Sequence, residues 1–229
     1  VNVERVRPRR ALAPEFRWTA SFKHVPSNAN AKMVQDKGLN GARVGRLSNL
    51  SSEDAWKPVP PFQMLRNEPE ARRPRYPTNV RWAHDGQKLV VRFEVDEPEP
   101  VVARAGGRDA NIAGDDHVGI YLATSGSAFL EILVNPSGAL RDTRGAGPRI
   151  SRPDANWNAP IRVETAIEHR HWWARIEIPL AECARALGEP EIPKLWRTAL
   201  VRHRAARPGR EAEWSAYPAV GASNSFYGP

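Results

Sequence analysis

The sequence predicts an all-β fold, an antiparallel β-sandwich with one short helix. Three observations carry that expectation. Apolar and polar residues alternate in eight or nine short runs, the period of a strand with one buried face. Turn formers are abundant, with 21 Pro and 16 Gly among 229 residues, which leaves little room for long helices. Most runs follow one another through short turns, and strands linked in this way pack as sandwiches.

In chain order, residues 1–15 are basic and broken by proline, so they read as an N-terminal arm or linker remnant. Residues 16–229 show no repeat and no linker between two balanced cores, so a single domain is expected there. Phe16 to Val25 alternates as a strand, and Ala42–Leu47 reads as a shorter one. Ser51 to Trp56 suits one helical turn that starts on a serine cap and ends in an anchoring Trp. Lys57–Pro77 lacks periodicity and is expected to be a functional or mobile loop. Thr78–Ala83 and Leu89–Val95 alternate cleanly, and Asp85-Gly86 between them signals a type I′ turn. Asp96–Asp116 is a long connection.

The next hairpin, Ala113 to Leu140, is the clearest. Val118, Ile120 and Leu122 share one face, and His117, Gly119 and Tyr121 share the other. After a turn at Ser125-Gly126-Ser127, Leu130, Ile132 and Val134 alternate with Phe129, Glu131 and Leu133. Arg141–Arg152 reads as a basic, Gly-rich loop, and Ile161–Glu168 and Trp172–Ile178 as strands. Pro179–Leu187 is the helix, stopped by Gly188 and Pro190. Trp196–Arg204 is a further strand, and Glu213–Pro229 a polar, aromatic tail.

The net charge is +8, with a pI near 10.1. Six of the 34 basic residues are Lys and the other 28 are Arg, scattered rather than clustered. A nucleic-acid footprint would be a patch or a stripe, so no nucleic-acid partner is expected. No run approaches the roughly 18 apolar residues of a membrane helix, and no membrane partner is expected. The lone Cys183 excludes an internal disulfide. The chain begins at Val1 without a signal-peptide pattern, which fits a mature or trimmed chain and leaves the compartment open. Nothing in the sequence sets the oligomeric state.

Several segments together resemble a family 9 carbohydrate-binding module of the DOMON-like sandwich group. They are Asp54-Ala55-Trp56, then Pro77 to Arg81 with Asp85-Gly86 and Leu89 to Val95. Asp115 to Leu122 follows, then Phe129 to Gly138, Trp172 to Leu180, and finally Trp196 to Arg202 with Glu213-Trp214-Ser215 and Phe226-Tyr227-Gly228. They keep the family's order over about Ser48 to Gly228. The resemblance implies a non-catalytic module that binds oligo- or polysaccharide, associated with extracellular polysaccharide breakdown, secreted or periplasmic, and carrying structural calcium. The family's platform aromatics are not matched: those stretches read Asn111-Ile112-Ala113-Gly114 and Ala219-Val220-Gly221-Ala222. Gly119 stands where a ligand-contacting Glu can occur, Ala199 where an Asn is frequent, and Arg175 where a Glu is frequent.

Sugars stack on aromatic rings and hydrogen-bond to carboxylates, amides and guanidinium groups. The candidate ligand-binding residues are therefore Asp116, Glu131, Trp157, Trp173, Arg202, Trp214 and Tyr217, with the site expected at the sheet end near Asp116, Trp157 and Arg202. Trp157 is read as a free-standing loop platform, and Arg202 and Glu131 as partners across the sheet. Asp96, Asp109 and Asp115 are the candidate calcium ligands, with turn chemistry as the alternative for Asp115-Asp116. Two other readings stay open. One is a catalytic role in glycan breakdown, which needs two carboxylates about 5–10 Å apart. The other is a protein-interaction or haem-type DOMON-like module, for which His169-x-His171, Met33 and Met64 are the residues to watch.

Overall fold

Period-two alternation sorts the side chains onto two sheets that face each other. The computed structural model describes residues 17–19, 44–67, 71–124, 128–146, 154–217 and 219. Its elements begin with β1 (Arg17–Thr19), β2 (Gly45–Arg46), α1 (Glu53–Trp56), β3 (Phe62–Gln63) and β4 (Leu65–Arg66). The long strands follow: β5 (Thr78–His84), β6 (Lys88–Asp96), β7 (His117–Ala123), β8 (Ala128–Val134) and β9 (Leu140–Ala146). The chain closes with β10 (Arg162–Glu168), β11 (His171–Pro179), α2 (Leu180–Ala186), β12 (Leu195–Arg204) and β13 (Glu213–Tyr217). Sheet I has the order β4-β13-β12-β7-β8-β9, with β1 parallel to the start of β12. Sheet II has the order β10-β11-β6-β5-β2, with β3 on β5.

The alternation in the sequence predicts which face each sheet buries. Val118, Ile120 and Leu122 of β7 and Leu130, Ile132 and Val134 of β8 point inward and are fully buried. They share one core with Val91, Phe93 and Val95 of β6 and Trp172, Ile176 and Ile178 of β11. Each such side chain contributes roughly 1.5–3 kcal/mol of transfer free energy. Cys183 of α2 lies in the same core, a small apolar filler whose thiol burial pushes to a higher pKa.

Four expectations change. Lys57–Pro77 is not all loop: β3 pairs with β5 in sheet II and β4 with β13 in sheet I. The chain crosses between the sheets at Met64, which is completely buried. Such two-residue strands are too short to show a period. Arg141–Arg152 begins as the edge strand β9, and Glu213–Tyr217 is strand β13. Both looked like loop because polar residues fill their inward positions. Asp142, for example, is buried beside Arg108 at 2.6 Å and accepts the Ala159 N–H at 3.0 Å. The Asp85-Gly86 turn is not type I′. Only Gly86 in it has positive φ (100°), and the Asp85 carboxylate accepts the N–H groups of Gln87 and Lys88 at 2.8 and 2.7 Å. The expected Ser125–Ser127 turn and the expected strand beyond Thr19 lie outside the described residues.

One end of the sandwich is bolted by charge. Arg202 points inward at the end of β12, because it lies in register with Val118. Its guanidinium crosses to sheet II and donates to Tyr76 O at 2.5 Å, Thr78 Oγ1 at 3.2 Å, Asp96 O at 3.1 Å and Glu97 Oε2 at 3.4 Å. Arg204 adds two bonds to Glu97, at 2.8 and 3.1 Å. Glu97 is itself buried, and its N–H donates to Arg170 O in the turn between β10 and β11.

Removing the guanidinium takes the donor from three acceptors and leaves Glu97 to Arg204 and Arg207. Arg202→Met is expected to cost about 3–5 kcal/mol in a urea melt. A loss below about 1 kcal/mol would mean that the network holds nothing.

Candidate functional site

The predicted sugar residues do not converge. Glu131 and Arg202 project from opposite faces of sheet I, since Glu131 is in register with Tyr121 and Arg202 with Val118. The expected pair therefore cannot form. Arg202 and Tyr217 both point into the sandwich and are buried. Tyr217 packs against Phe62 and Trp82, at 4.6 and 6.4 Å between ring centroids, so it is core and not platform. Trp157 is half-buried and packs against the main core, so it does not stand free in its loop. The loop's polar sequence hid the apolar wall beneath it.

Asp116 is likewise committed to the scaffold. Its carboxylate accepts the N–H groups of Val102 and Ala205, both at 2.8 Å, and pairs with Arg207 at 2.6 Å. Asp115 Oδ2 accepts from the N–H groups of Arg104 and Ala105 and from the Asn135 amide, at 3.1, 3.0 and 2.9 Å. Burial alone would raise its pKa, but these donors together outweigh that and hold it below the usual carboxylate value. This chemistry decides the calcium question for the expected set. Asp115 is filled by N–H donors, where a calcium ligand would offer bare oxygen. Asp96 and Asp109 carry exposed side chains, and their backbone groups are used by Arg202 and Leu140. Among the described residues no three His, Cys, Asp or Glu side chains are arranged to hold a metal ion. The three aspartates do not fit calcium.

A buried imidazole pair was not legible in advance. His117 and His203 lie opposite each other on β7 and β12, with ring centroids 4.9 Å apart. Both Nδ1 atoms lie within hydrogen-bond distance of the same carbonyl, Asp115 O, at 3.0 and 2.8 Å. A carbonyl only accepts, so each ring donates through Nδ1. Trp214 stacks on His203 at 4.4 Å and meets His117 edge-on at 5.5 Å. Burial pulls the His117 pKa down to about 3, and His203 is lowered for the same reason. The sequence marks Trp196–Arg204 as a strand, but nothing in it pairs His203 with His117.

The outward face of sheet I, where the resemblance sets a sugar, is apolar and covered. Ile112 occupies the stretch that lacks the family's aromatic, and it is fully buried in a cluster with Tyr121, Leu133, Ala199 and Val201. Glu131 is a polar residue within this face, 0% exposed, taking hydrogen bonds from Tyr121 at 2.8 Å and Thr143 at 3.0 Å. Burial raises its pKa. Asp142, raised by burial as well, faces inward in register with Ile132. These two carboxylates therefore lie on opposite faces of the sheet and cannot flank one glycosidic bond.

The outward face of sheet II is different. Trp56 of α1 packs with Leu50, Val59, Ala83 and Val90 and covers one part of it. Beside this cap lies a row of Arg81, Arg92 and Arg175, in register across β5, β6 and β11. Arg92 sits 4.1 Å over the Trp56 ring and makes two 2.7 Å bonds to Glu53. The next row reads Asn79, Glu94, Trp173 and Ala166. Trp173 is half-buried and belongs to no apolar cluster among the described residues. Its indole N–H donates to Glu168 at 3.2 Å, and Arg81 pairs with Glu94 at 2.6 Å. Of the candidate aromatics, Trp173 lies outside the apolar clusters of the described residues and is flanked by charged side chains on the outward face of sheet II.

No family model and no curated protein matches the chain. Solved structures do share its fold. A candidate carbohydrate-binding protein from Bacteroides uniformis is similar at 14% identity, with a TM-score of 0.62 over 80% of this chain and 92% of that one. A family 9 carbohydrate-binding module from Caldicellulosiruptor kristjanssonii in complex with glucose gives 16% identity and a TM-score of 0.53, over 76% of this chain and 83% of that one. The same organism's module in complex with cellotriose gives 16% and 0.52, over 76% and 81%. The chain thus has the fold of the family 9 modules, as the ordered motifs predict.

Two outcomes follow from these environments. A Cβ at position 119 would lie 2.3 Å from Ile132 O and 2.5 Å from Leu133 Cδ2. Gly119→Glu, which restores the family's acid, is therefore expected to destabilise by about 1–3 kcal/mol or more and to gain no saccharide affinity. Denaturation and titration of that variant check both parts. The second outcome concerns acid. Unfolded imidazoles bind protons below pH 6.5, whereas His117 in the fold refuses them down to about 3 and His84 down to about 4. Stability from these groups is present above 6.5 and is lost as pH falls. Glu131, raised by burial, acts in the opposite sense, so the measurement is a comparison. His117→Asn should flatten the fall in stability between pH 6.5 and 5 by up to about 1.4 kcal/mol per pH unit. An unchanged slope would contradict a neutral buried His117.

Proposed function

We propose that this chain is a non-catalytic saccharide-binding module. The observation that carries the reading is the shared two-sheet topology with modules held in complex with glucose and with cellotriose. The carboxylates support it from the other side. Glu131 and Asp142, whose raised pKa values would suit a general acid, are separated by the sheet itself and are buried. A hydrolase needs two such groups facing one cleft. A binding module needs only a rigid face with an aromatic ring and a few fixed polar groups, and sheet II offers these. An extracellular or periplasmic location, and work beside polysaccharide breakdown, belong with this reading.

Titration calorimetry of the whole chain against glucose, cellobiose, cellotriose and longer glycans tests it. At least one saccharide is expected to bind without being cleaved. A folded protein that binds none of them, or that shortens any, would overturn the reading.

A further inference from the structure

The saccharide reading leaves open where on the sandwich a ligand sits, and the inference here rests on that reading. We infer that the outward face of sheet II is the binding surface, and that it takes an extended, β-linked glycan laid across the strands along the row Asn79–Glu94–Trp173–Ala166. Four features of the row carry this.

The first is the ring itself. Trp173 is half-buried and stands on a face otherwise built of charged and small residues. Its neighbour on the open side is Ala166, in register on β10, and a methyl group cannot cover an indole. An aromatic ring in such a setting offers the apolar surface on which the C–H face of a pyranose stacks.

The second is fixation. Glu168 accepts the indole N–H at 3.2 Å and also pairs with His171 at 3.1 Å, so the ring is held from its edge. The row stands on the long paired strands β5, β6, β11 and β10, which form the centre and one edge of the sheet. A preorganised platform loses little freedom on binding.

The third is chemistry. Glu94 has a half-exposed side chain that keeps accepting capacity beyond its bond to Arg81. Arg175 is held by Glu177 and Glu164 beside the ring, and Glu164 stays largely exposed. Acceptors and donors in mixed order suit neutral hydroxyls. Each guanidinium of the neighbouring row Arg81–Arg92–Arg175 already has a carboxylate partner, so an anionic glycan would find no unpaired positive charge there.

The fourth is pitch. Row positions recur at the strand spacing of about 4.8 Å, comparable to the length of one pyranose in a β-linked chain, so four strands span about 14 Å. The wall made by Trp56, with the Glu53–Arg92 pair at its foot, flanks this track along one side and gives the chain a direction.

The test uses the full chain and four probes: cellohexaose, xylohexaose, mannohexaose and chitohexaose. Calorimetry on the parent, Trp173→Ala, Trp173→Phe and Glu94→Gln is compared, with circular dichroism to check the fold. The parent is expected to bind at least one probe, more tightly than the matching disaccharide. Trp173→Ala should weaken it at least about tenfold, Trp173→Phe should recover part of the loss, and Glu94→Gln should weaken it about threefold or more. If Trp173→Ala fails to fold, Glu94→Gln alone decides, since its side chain is surface-held. Parent binding with unchanged affinity in the folded variants would overturn this location and leave the saccharide reading standing. No binding by the parent would overturn both.

Discussion

A buried guanidinium cannot be left without partners, and Arg202 satisfies that rule by reaching from one sheet to the other. Its four acceptors belong to the entry of β5 and the exit of β6. It therefore sets the distance between the sheets at that end. Glu97 lies between Arg202 and Arg204, and the Arg207–Asp116 pair joins the start of β7 to the same cluster. The long connection from Glu97 to Asp116 is pinned at both ends by this network. Through Asp115 it also fixes the two imidazoles and, against them, Trp214. The residues that looked most like a sugar site in the sequence are the ones that hold the sandwich shut. Arginine and carboxylate in proximity serve both purposes, and only their burial tells them apart.

Architecture was legible where strands were long. The inward sets of β5, β6, β7, β8 and β11 were visible as alternation, and β12 as a strand. β3 and β4 were not, because two residues carry no period. β9 and β13 were hidden by inward polar residues such as Asp142 and Ser215; Asp142 is satisfied by Arg108 and the Ala159 N–H, partners that no local pattern encodes. The candidate site was legible only in part. Trp173 was marked by lying opposite the buried Trp172. Its row on the sheet depends on register with β6 and β10, and register is set by the whole sheet.

The two outward faces show how one fold can exchange one surface for another. On sheet I, Gly119 allows so close an approach of β7 to β8 that no side chain fits, and Ile112, Leu133, Ala199 and Val201 fill the space with apolar atoms. On sheet II, α1 covers only part of the strands, and the row beside it keeps a ring, carboxylates and guanidinium groups at the surface. On the reading proposed above, the chemistry moves to the open face while the core stays the same. Fold likeness at 14–16% identity is compatible with such a move, because core packing constrains the inward residues far more than the outward ones.

The indole N–H signals of the eight tryptophans report on both faces at once. Heteronuclear NMR of the labelled chain, with and without a saturating mixture of the four β-linked hexasaccharides, reads them directly. The Trp173 signal is expected to shift, together with amides of β6, β10 and β11, while the buried Trp172 and Trp196 stay in place. Shifts confined to Trp214 and the strands of sheet I would contradict a ligand face on sheet II.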